Sequence, residues 1–214
     1  MNLLIAQNII AGSVLVVQLL MPIQKEHVLS QNEISLNQRH AVKNVNEVFK
    51  DNILLNLAYL DGRVKSKADI NWDEIRKPSV FAFKLKPGET FAYHEDVLPK
   101  YEVRLIRTSN AHFNAAEGFK FSGLLYGDGV CHLASLMHKG AKDAGLDSYS
   151  PVRHDFAAVP QIEKEYGVSI FNMPGNKNAN AMQNLYITNT KDKNIIFRFD
   201  YKGENLKLSV LELD

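Results

Sequence analysis

Apolar residues recur at three- and four-residue steps over residues 42–60, where Val42, Val45, Val48 and Phe49 lead into Ile53, Leu54, Leu57 and Ala58. That spacing predicts an amphipathic helix, and Asp61-Gly62 closes it as a turn. Residues 79–85, SVFAFKL, alternate as a strand does. Pro87-Gly88 is a turn, residues 90–93 continue extended, and residues 103–106 form a further short strand. Beyond Gly129 the period returns to that of a helix beginning near Cys131. Leu133, Leu136, Met137, Ala141 and Ala144 fall on one face, and Gly145 supplies the stop. Residues 184–190, 194–201 and 206–213 then read as three strands, with turns at 190–193 and 202–205. These patterns predict an α+β fold. A helix starting at the Gly-Asp-Gly-Val-Cys turn packs on a mainly antiparallel sheet, and the chain ends in a β-meander.

Two stretches fall outside this periodicity. Residues 3–23 carry no charge, and their length matches the roughly 20 residues of a membrane span. Gln7, Asn8, Ser13 and Gln18 interrupt them, and no basic residue precedes them as in a signal peptide. Residues 1–24 are therefore a hydrophobic anchor or a buried N-terminal helix. The basic residues that follow, Lys25, Arg39 and Lys43, weakly favour a cytoplasmic C-terminal part. Residues 25–41 are polar and read as a linker. Residues 42–214 form one domain, with a charged insertion near 63–78.

Length and charge narrow the classes. The chain has 214 residues, enough for one domain with a sizeable core. Twenty-five Lys plus Arg against 24 Asp plus Glu give a formal net charge of +1, which offers no support for a nucleic-acid partner. The single cysteine, Cys131, forms no internal disulfide and no cysteine-rich zinc site.

Cys131 lies where a glycine turn enters a helix. A helix N-terminus presents free N–H groups and a positive dipole end, both favourable to a thiolate. His154 lies 23 positions downstream, past the helix end, where a returning segment can bring it alongside as a base. Asp155, or a later Asn or Asp, then orients the imidazole. The competing expectation is a small buried hydrophobe, the commoner role of a lone cysteine. His132 and His138 do not share a stripe and are expected at the surface, and His94 in a loop. Cys131, His132, His138 and His154 show no familiar zinc spacing, so no metal is expected. No cofactor is expected either, since Gly-Asp-Gly is too short for a phosphate loop.

The order of these motifs resembles the VanW-like family, named from a glycopeptide-resistance gene cluster and common on bacterial cell surfaces. Residues 52–62 resemble its opening helix and turn. Leu85-Lys86-Pro87-Gly88-Glu89-Thr90-Phe91 resembles its Pro-Gly-Glu-x-Phe-Ser segment. Gly127-Asp128-Gly129-Val130-Cys131-His132 resembles its Gly-Gly-Gly-Ile-Cys-Gln motif, Ala144-Gly145-Leu146 its helix end, and His154 the His that follows. Residues 175–179 and 184–189 resemble its Gly-Arg-Asp-Ala segment and final strand motif. Asp128, His132 and Asn178 depart from the family's Gly, Gln and Asp, and mark a divergent member.

The resemblance implies an extracytoplasmic, envelope-linked protein, membrane-anchored if residues 3–23 are an anchor and cytoplasmic if they are a core helix. Two functions follow. One is a module binding peptidoglycan or an envelope protein through the loops at 127–131 and 174–181, with Gly127, Asp128, Gly129, His132 and Arg153 as binding residues. The other is a cysteine-dependent acyl transferase or amidase acting on a peptide such as the peptidoglycan stem. There Cys131 is the nucleophile, His154 the base, and Asn178 or Asp155 the orienter.

Overall fold

The computed structural model describes residues 25–123, 127–155 and 158–214. The hydrophobic segment at 3–23 lies outside them. Among the described residues no helix is long and apolar enough to cross a membrane.

Two four-stranded sheets and a pair of central helices make up the α+β fold. The first sheet runs β1 (Glu26–Ser35), β8 (Asn205–Leu213), β7 (Asn194–Lys202), β2 (Ser79–Leu85), antiparallel throughout. The second runs β4 (Leu105–Arg107), β3 (Thr90–Ala92), β6 (Tyr186–Thr188), β5 (Asp147–Tyr149), with β3 and β4 parallel. Phe83 of β2 joins the two sheets. Its ring stacks on Phe197 at 5.1 Å within its own sheet and on Phe91 of β3 at 5.2 Å.

Helix α1 (Lys43–Leu60) is buried all round from Asp51 to Leu60, so it runs through the interior rather than over it. Its buried polar side chains serve as connectors. Asp51 pairs with Arg76 in a bidentate fork and with Lys120. Asn52 receives Lys120 N–H at 2.8 Å and donates to Asp128 O at 2.9 Å. Asn56 accepts the Tyr93 hydroxyl at 2.8 Å. Helix α4 (Val130–Asp143) buries Leu133, Leu136, Met137 and Ala141 as its stripe requires, and Gly145 follows at φ 72°. It packs on β1 and β8, where Ser30 Oγ donates to Gly140 O at 2.7 Å.

Three expectations are corrected. Residues 25–41 are no linker, because β1 occupies most of them. Its ladder to β8 satisfies the backbone, while Ile34 and Leu36 enter the core. The charged run at 63–78 is anchored: Val64 and Ile75 are buried, and Trp72 of α2 (Trp72–Ile75) lies under Arg76 and Lys120. The turn at 190–193 joins β6 and β7, which belong to different sheets. Asn189 fixes that crossing by donating to Leu85 O at 2.9 Å and to Lys193 O at 2.8 Å.

Candidate functional site

The turn into α4 is built by close packing. Gly129, the N-cap, has φ 108°, and a Cβ there would come within 2.5 Å of Phe49 O. Only glycine lets α4 approach α1 this closely. Gly127 is also in the left-handed region, against Phe113. Asp128 is half-buried, and Ser122 Oγ donates to its carboxylate.

Cys131 is half-buried, and its sulfur meets the backbone of Ile170 twice. Ile170 N–H donates to Sγ at 3.4 Å, and the thiol donates to Ile170 O at 3.6 Å. Ser135, one turn on, donates to Cys131 O and accepts Val168 N–H, so residues 168–170 run along the helix face. Burial pushes the Cys131 thiol up; the Ile170 amide, Asp128 and Arg39 act after it, Asp128 raising the thiol and the other two lowering it. Arg39 was invisible in the sequence because it sits in the supposed linker. Burial lowers its own pKa, with Cys131 and Asp128 acting in the opposite direction, and its guanidinium lies 5.5 Å from the Phe49 ring centroid.

His154 is buried. Its N–H bonds Gly167 O at 3.1 Å, in a ribbon where Arg153 bridges Val168. The histidine it influences is His132. His132 is 2% exposed, which corrects the expected surface position. Burial first, then the charge of Arg39, lowers it to about 3, opposed by the nearby Pro160 carbonyl. Neither of its ring nitrogens makes a well-formed hydrogen bond. His138 is likewise buried, bonding Ser148 Oγ at 2.7 Å, and burial lowers it to about 4. His94 is fully buried and held by Gln183 O and Asn184. His94 lies in a loop, as expected, whereas His132 and His138 depart from the expected surface position because a single polar residue on a helix carries no mark of the layer that will cover it.

The remaining predicted site residues do not join Cys131. Asp155 and Arg153 are exposed. Asn178 is exposed on α5 (Lys177–Met182) and lines a separate groove of about 590 Å³, which includes neither Cys131 nor His154. That groove runs between α5 and the segment from Glu95 through α3 (Pro99–Glu102). Among the described residues, no group of three or more His, Cys, Asp or Glu is placed to hold a metal ion.

No protein-family model, curated protein or solved structure matches the chain. The likeness to the VanW-like family therefore rests on the order of motifs in the sequence. Chemically, the site offers a neutral thiol clasped by backbone at the start of α4, and a preformed acidic groove elsewhere.

Proposed function

We propose that the chain is a cell-envelope VanW-like domain that binds a wall component or an envelope partner. The observation that carries this reading is the state of Cys131. A nucleophilic cysteine must be a thiolate and must be reachable. Here both polar groups of Ile170 occupy the sulfur, and burial favours the neutral thiol. An open concave surface lies at α5, and the 174–181 loop expected to bind contributes to it.

A second reading keeps Cys131 as the nucleophile of an acyl transferase or amidase on the peptidoglycan stem. It draws on Arg39, whose charge lowers the thiol, and on the buried His132 and His154 next to that helix turn.

One experiment separates them. The full chain is mixed with purified peptidoglycan sacculi, and both co-sedimentation and release of soluble fragments are measured. Wild type and Cys131→Ser are expected to sediment alike without releasing fragments. In parallel, iodoacetamide at pH 7 should label native Cys131 at least about tenfold more slowly than the urea-unfolded chain, since a half-buried neutral thiol engaged by the Ile170 backbone is a poor nucleophile. Fragment release by wild type that Cys131→Ser abolishes would overturn the binding reading in favour of the enzyme.

A further inference from the structure

We infer that the groove at α5 binds a peptide through a primary amine, the source being the stem peptide of the wall; the choice of source rests on the binding reading above. The volume of about 590 Å³ lies within the usual range for ligand sites, roughly 300–1,000 Å³. Val97, Leu98, Pro99, Ala181 and Met182 give it apolar walls. Its charged lining is Glu95, Asp96 and Glu102 against the single Lys177. Nearby Lys100 does not neutralise this excess, because its ammonium lies over the rings of Tyr101 and Tyr149, at 4.7 and 4.5 Å. A cation flanked by small apolar groups complements such a surface.

The groove is held open by buried hydrogen bonds. The Tyr186 hydroxyl donates to Ala181 O on one wall at 2.7 Å and accepts Leu98 N–H from the other at 3.0 Å. Asn180, 1% exposed, donates to Asp96 Oδ2 and Met173 O and accepts Met173 N–H. Asn184 holds the other end by donating to His94 O and Asp96 O. Binding therefore costs little reorganisation.

At Glu95 and Asp96 the arrangement of oxygens favours an ammonium over a guanidinium. A guanidinium fork takes both oxygens of one carboxylate, whereas an ammonium takes single oxygens from several. Asp96 has one oxygen on Asn180, and Glu95 has one on His112 Nε2. Among the described residues no hydrogen bond engages the second oxygen of either, which leaves each a single contact. A lysine-type wall stem peptide presents such an amine on a side chain that small apolar alanines follow.

The test is calorimetric titration of the full chain with a synthetic lysine-type stem pentapeptide and with its Nε-acetyl derivative. The free amine should bind at least about tenfold more tightly, as expected for loss of one charged contact. Glu102→Gln should weaken binding of the free-amine peptide severalfold, and Lys177→Gln should strengthen it. Circular dichroism confirms folding of both variants, whose changed side chains stand at the groove rim. Equal affinity for the two peptides, no binding of either, or an unchanged affinity in Glu102→Gln overturns the inference. The sacculus assay reports separately. Sacculi bound without pentapeptide refute the groove and leave the wall reading standing; pentapeptide bound without sacculi upholds amine recognition and refutes the wall as its source.

Discussion

At the scale of single residues, the buried histidines make the protein sensitive to acid. In the unfolded chain each takes up a proton near its ordinary value of 6.5. In the folded chain His138 resists protonation down to about 4 and His132 down to about 3. Between these values the unfolded state binds more protons, so stability is intact above about pH 6.5 and declines as pH falls toward 4. Urea midpoints measured at pH 7.5 and pH 5 should therefore differ, with the lower at pH 5. His138→Gln, which keeps a polar partner for Ser148, should flatten that dependence. Equal midpoints in the wild type would contradict the burial of both rings. His132 could not be recognised as a core residue from its neighbours in sequence, since what covers it, the segment around Pro160, lies far along the chain.

At the scale of elements, local pattern was a good guide where one face met one layer. Helix α4 and its Gly145 stop, strand β2 and the β7–β8 hairpin all lie where periodicity and turn residues put them. Strand β1 was missed because EHVLSQNEIS lacks clean alternation. Its order comes from the ladder to β8 and from a bulge between Val28 and Ser30. The candidate site is legible in part: the sequence draws attention to the thiol and to the 174–181 segment that lines the groove, but not to the placement of Arg39 or of the carboxylates of the 95–102 segment, which depends on sheet topology. The two glycines of α4 make the packing testable. At Gly140 an added Cβ meets the tip of Leu208, which can turn aside; at Gly129 it meets the Phe49 carbonyl oxygen in a left-handed backbone. Gly140→Ala should cost about 1 kcal/mol and Gly129→Ala about 3 kcal/mol or more in urea denaturation, the ordering following from a flexible against a fixed obstacle. A reversal of that order would count against the α1–α4 contact.

At the scale of the whole molecule, the two sheets meet through the aromatic stack centred on Phe83 and the crossing fixed by Asn189. The groove sits at the edge of the second sheet, with Tyr186 of β6 spanning from core to rim. The thiol is clasped at Ile170 of the 168–173 segment, while Met173 of the same segment bonds Asn180 beside the groove. The concave surface and the cysteine are thus parts of one scaffold but separate sites.

The pairing of β1 with β8 also governs how the protein is made. Glu26 faces Leu213, and β8 lies between β1 and β7. During synthesis β1 is therefore among the first described segments to leave the ribosome, yet its only sheet neighbour among the described residues, β8, is the last of their strands. Until residue 205 has been translated, β1 and β7 both expose unpaired edges, and α4 has only part of the floor it packs on. Such non-local closure is slow and leaves nascent chains open to aggregation. Chains stalled before residue 205 should show no amide protection in β1, whereas full-length chains should acquire it together with β8. Protection of β1 in the stalled chains would show that another partner holds it first. The burden of keeping this protein soluble during translation thus falls on the interval between β1 and β8.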